Sequence, residues 1–158
     1  MKKSQIYGQV FTYILTIVLM SFILVYGYNT IVDFKDRIEK GACLKLKTDL
    51  KNEFESITSD YGTVKRKSFQ LCGGYTDICF VENFENPVLQ GKIDLIIKDS
   101  VLSGTGMNAF LMKDIAKESF YVGKISVEPD VLCIKAIGNT VNLRLEGKGN
   151  HVLLSQWS

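Results

Sequence analysis

The chain has 158 residues, 46% of them hydrophobic, with 19 Lys and Arg against 17 Asp and Glu. That length holds one membrane element and one modest domain. The net charge of +2 is carried by Lys2 and Lys3, so the rest is balanced and presents no basic surface suited to nucleic acid or to an acidic membrane face.

After Lys2 and Lys3 no charged residue occurs from Ser4 to Val32, and Val10–Tyr28 is interrupted only by Thr12, Thr16, Ser21 and Gly27. Roughly 20 apolar residues, rising about 1.5 Å each, cross a hydrocarbon core of about 30 Å. The run therefore predicts a transmembrane helix over residues 9–32. A buried helix of a soluble protein rarely runs so far without a polar face. Tyr7, Tyr13, Tyr26 and Tyr28 crowd towards its two ends, where amphipathic rings settle at the lipid–water boundary. A cleaved secretory signal has a shorter apolar part that ends in a small-x-small site. Gly27–Thr30 offers no such pair, so the helix is expected to stay on the protein.

Two lysines, a Gly8-Gln9 junction and an unbroken apolar helix resemble the class III signal of archaeal type IV pilin-like proteins. The resemblance covers about the first 30 residues. It implies a basic leader over residues 1–8, cut after Gly8 by a prepilin peptidase so that Gln9 opens the mature chain. The helix that follows would anchor the subunit in the bilayer and later pack against other pilin-like subunits, through Phe11, Tyr13, Ile17, Phe22 and Tyr26. Tyr13 stands at the fifth mature position, where many members carry a glutamate that neutralises a neighbour's amino terminus.

Charge density rises abruptly after Val32, and residues 33–58 read as an amphipathic stem helix. Phe34 and Ile38 are four apart, and Cys43, Leu46, Leu50, Phe54 and Ile57 continue at spacings of three and four. Gly41 is the expected place for a kink or break. Residues 59–158 read as one α+β domain: strands near Val64–Leu71 and Asp77–Val81, then a loop through "ENFENP". A helix opens at Pro87 and carries Leu89, Ile93, Ile96, Ile97 and Val101 to a stop at "SGTG". Further strands are expected at Ala109–Met112, Phe120–Val122, Val131–Ile137, Val141–Leu145 and Val152–Leu154. Gly138-Asn139 and "GKGN" punctuate the last three, which suggests an antiparallel meander. The expected fold class is α+β: a long N-terminal helix followed by a mainly antiparallel β domain with one extra helix.

Which side of the membrane the domain occupies is read from two opposing signals. Lys35, Arg37, Lys40, Lys45 and Lys47 follow the helix and outnumber Lys2 and Lys3, which favours the cytoplasm for a short loop. Long domains escape that rule. Four cysteines, an even count, favour an oxidising exterior and predict two disulfides with three possible connectivities. "LCGGYTDICF" brackets a turn between strand-like flanks, so a hairpin there would join Cys72 to Cys79 and leave Cys43 for Cys133. The expected placement is a single-pass membrane protein whose C-terminal domain is extracytoplasmic.

No catalytic residue, metal site or cofactor is read from the chain. Gly104-Thr105-Gly106-Met107-Asn108-Ala109 matches G-x-G-x-x-A, but a dinucleotide site needs a strand before it and a helix after it. Here it reads as a loop ending a helix. "EGKGNH" reads as a hairpin tip. A zinc site would want a C-x-x-C pair or several histidines, and His151 is the single histidine. Glu82 and Glu85 share a loop without the D-x-D spacing of a calcium site. Three functions stay in view: a pilin-like subunit, a tethered binding domain that keeps its leader, and, least supported, an envelope enzyme.

Overall fold

The computed structural model describes residues 3–83, 93–128 and 130–157, with side-chain surroundings from Gln9 onward. One helix, α1 (Lys3–Thr58), takes in the apolar run and the stem. It contributes to two compact units, one ending at Glu39 and one beginning at Lys40. No proline interrupts α1, and helical hydrogen bonding continues through Gly41, where a break was expected. A glycine costs about 1 kcal/mol relative to alanine inside a helix, too little to stop one that packing already holds.

In the second unit the stem stripe is buried as its spacing predicts: Cys43, Leu46, Leu50, Phe54 and Ile57 are all at 9% exposure or less. Phe34 and Ile38, read as the start of that stripe, are exposed and belong to the first unit. Residues three and four apart stack on one helix face, so this run presents a single apolar strip. That strip meets two four-stranded sheets.

The first sheet contains β1 (Val64–Gln70), β7 (Thr140–Gly147), β8 (Val152–Gln156) and β5 (Ile125–Val127), in that spatial order. The second contains β4 (Ala116–Phe120), β3 (Ala109–Met112), β2 (Asp77–Val81) and β6 (Val131–Lys135). All pairings are antiparallel except β5 with β8, so the α+β, mainly antiparallel class holds. Along β7 the residues Val141, Leu143, Leu145 and Gly147 point inward and alternate with half-exposed neighbours, the period of a strand with one wet face. These join Ile78, Phe80 and Leu111 of the second sheet and Leu50 and Phe54 of the stem in one core.

Helix α2 (Leu95–Leu102) covers the other face of the second sheet, where buried Ile97 packs in a cluster with Cys79, Val81, Phe110 and Ala116. Its start is set by Asp94, whose carboxylate accepts the Ile96 amide at 2.8 Å. The expected opening at Pro87 and Leu89, like Glu85, lies outside the described residues. The helix ends at Ser103, and Gly104 takes φ +68°, as the "SGTG" stop predicts. The G-x-G-x-x-A segment thus follows a helix and precedes β3, the reverse of the dinucleotide order.

Two strand expectations need correction. The last three strands form no meander: β7 and β8 are a hairpin, but β6 belongs to the second sheet. Gly138 and Asn139 both take positive φ and carry the chain from one sheet to the other, while Asn139 Nδ2 donates to Leu71 O at 2.6 Å. Of the strand placed at Phe120–Val122 only Phe120 lies in a strand, as the last residue of β4, and β5 was not anticipated. Between them Gly123 turns at φ +125°. β4 reads "AKESF", whose polar middle hides the period that reveals a strand.

Candidate functional site: an apolar helix with a disulfide-tied root

From Val10 to Val32 every large apolar side chain of α1 is at least 43% exposed. Phe11, Tyr13 and Ile17 are each 66% exposed, Phe22 60% and Tyr26 73%. Gly8 and Gln9 lie within the helical run. This segment is long and apolar enough to cross a membrane. Its polar interruptions are satisfied within the helix. Thr12 donates to Gln9 O, Thr16 to Tyr13 O, Ser21 to Ile17 O and Thr30 to Tyr26 O, all at 2.8–2.9 Å. A hydroxyl bonded to the carbonyl one turn back brings no unmet donor into an apolar phase, which removes the main cost of those residues there.

The cysteines pair differently from the hairpin expectation: Cys43 with Cys72, and Cys79 with Cys133. Cys72–Cys79 fails because only Cys79 lies in a ladder. It stands directly opposite Cys133 in the β2–β6 register, with Cα atoms 4.0 Å apart. Cys72 lies in the loop after β1, where positive φ at Gly73 and Gly74 turns the chain under the stem. There it meets Cys43 at a Cα separation of 5.0 Å. The first bridge therefore ties helix to domain, and the second staples two strands.

Around this root lies a polar cluster that the sequence did not reveal. Lys47 of the stem sits 2.6 Å from Glu118 of β4 and over the Phe120 ring. The Tyr75 hydroxyl interacts with the same carboxylate, and its ring lies against Gly73 beside Cys43. The Lys47 hydrogen bond holds the Glu118 carboxyl below its ordinary value, against a burial effect that raises it. Burial, reinforced by Glu118, pushes the Tyr75 hydroxyl up. Six residues on from Lys47, Glu53 takes Lys67 at 3.2 Å and Lys65 at 3.6 Å, from alternate positions of the edge strand β1. Lysines on an edge strand also discourage pairing with another sheet. No local spacing announces these contacts, because each joins residues far apart in the chain.

Two asparagines fix the loop between β4 and β5. Buried Asn108 donates to Gly123 O at 2.7 Å and accepts the Val122 amide, while Asn83 donates to Gly123 O and accepts the Ile125 amide. Glu82 accepts the Val127 amide at 2.8 Å. Among the described residues no group of three or more His, Cys, Asp or Glu is placed to hold a metal ion. No known protein family, characterised protein or solved structure matches this chain.

Proposed function

We propose that the chain is a membrane-anchored, pilin-like subunit with a structural or assembly role at the cell surface. The observation that carries this reading is the division of labour along α1. One end exposes an apolar surface with its hydroxyls satisfied internally, and the other is the central strip of a β-domain core. Lipid is the natural solvent for the first part, and two disulfides suit a domain outside the cytoplasm. The basic leader and the Gly8-Gln9 junction add processing by a prepilin peptidase and contact with other pilin-like subunits. Mass spectrometry of the membrane-extracted chain, co-expressed with a prepilin peptidase, tests it. The expected N-terminus is Gln9, whereas an intact Met1 rejects processing.

Tyr13 favours a second reading. An unneutralised amino terminus inside an apolar filament core costs several kcal/mol, and Tyr13 supplies no carboxylate to offset it. A tethered binding domain that never polymerises has no such cost. Crosslinking in intact membranes separates the two: ladders spaced by one subunit support assembly, and monomer alone supports the tether.

A further inference from the structure

At the C-terminal end of α1 lies an open cleft of about 390 Å3, a size typical of small-ligand sites. Its walls come from three separate pieces of chain: the end of the stem with Glu55, Thr58 and Ser59, the β4–β5 loop, and the β7–β8 tip. We propose that this cleft binds an uncharged oligosaccharide, a role independent of whether the chain polymerises.

The composition of the walls points to that ligand class. The walls carry one acid and one base, Glu55, which pairs with Lys51 at 3.7 Å outside the lining, and Lys124, so no cluster of like charge marks the cleft for an ion. Tyr121 lines the cleft and is 45% exposed, while Tyr61, 82% exposed, packs beside Gly149 at its rim. A sugar ring is itself amphipathic: its C–H face covers an aromatic ring while its hydroxyls both donate and accept. The cleft matches that edge with groups of both kinds. The side chains of Ser59, Tyr121 and Lys124 make no hydrogen bond or ion pair to another described residue. Asn150 engages His151 through Oδ1 at 2.7 Å, which leaves its amide protons to donate.

The site is also built in advance. Gly123 and Gly149 line it with φ of +125° and +86°, conformations that glycine adopts without strain and that fix the course of both loops. The Gly123 carbonyl is held by both Asn83 and Asn108, and the Lys124 carbonyl accepts the Val152 amide at 3.0 Å. A wall fixed by buried hydrogen bonds loses little freedom when a ligand arrives.

Ligand-observed saturation-transfer NMR on the full-length chain in lipid nanodiscs tests the proposal. Cellobiose, maltose and diacetylchitobiose serve as neutral probes and a heparin disaccharide as the charged comparison. Transfer from at least one neutral disaccharide is expected. Tyr121→Ala should weaken it by about tenfold, the loss of an aromatic contact worth roughly 1.5 kcal/mol. Tyr121→Phe, which keeps the ring, should retain most of it, and both variants should melt near the parent temperature. The proposal is overturned by no transfer from any neutral probe at millimolar concentration, by transfer from the heparin disaccharide alone, or by a signal that survives Tyr121→Ala.

Discussion

Gly147 shows how one side chain of zero size sets a helix–sheet contact. A Cβ there would collide with the backbone carbonyls of Ile57 and Asp60 at the end of α1, and neither can retreat without moving the helix. The same residue exchanges backbone hydrogen bonds with Gly62 and Thr63, at 2.8 and 2.9 Å. Gly147→Ala should therefore destabilise the domain by about 3 kcal/mol, the upper end of overpacking costs. Gly138→Ala, at φ +57° with open space around it, should lose only about 1–2 kcal/mol. Equal melting temperatures for the two variants would contradict the close approach. Glu118 allows a second residue-scale expectation. Its carboxyl is lowered from 4.5 in the folded state, so the stability it contributes is complete above that value. That stability drains away as pH falls through the lower folded value. Lys47→Met should thus reduce the melting temperature most near neutrality, and the gap to the parent should narrow as pH falls below 4.5. A gap that stays constant across that range would assign the loss to packing over Phe120 rather than to charge.

Among the elements, the two bridges act on different junctions and differ in access. Cys43, Cys72 and Cys79 are buried, whereas Cys133 is exposed on the edge strand β6. Graded reduction followed by alkylation should therefore label Cys79 and Cys133 before Cys43 and Cys72. Simultaneous labelling would mean that the stem and the second sheet open together. The closed loops span 29 and 54 residues. Loop-closure entropy puts their contributions at about 3.5 and 4 kcal/mol, so a Cys→Ser change at either bridge should lower the melting point by a similar amount. From Cys43 to Ile57 the stem stripe was legible residue by residue, because helical period is a local property. The connectivity of the bridges was not. Two glycines after Cys72 looked like a hairpin turn, and the partner that defeats that reading lies on another element.

For the whole molecule, exposed apolar bulk is concentrated before the unit boundary at Lys40, and the core lies after it. A fragment Lys40–Ser158 should fold and remain in solution without detergent, with both disulfides intact. A fragment starting at Ser59 should not, because it lacks Leu46, Leu50, Phe54 and Ile57 and leaves the core open on one side. Cooperative unfolding of the shorter fragment would show the stem to be an accessory. In the full chain, Ile17→Arg should reduce membrane retention, since a central charge costs about 2.5–3.5 kcal/mol on insertion scales. Unchanged retention would count against the span.

What the amino-acid order determined by itself was everything governed by near neighbours. The apolar run, the stem strip from Cys43 to Ile57, the stop after Ser103, the β7–β8 tip and the α+β class all follow from spacing and turn chemistry within a few residues. Tertiary structure alone decided which strands share a sheet, which cysteines meet, where Lys47 and Glu53 find their partners, and that the stem end and two distant loops line one cleft. Those outcomes depend on burying one stem and two sheets in a single core, a global constraint that no short window of sequence contains.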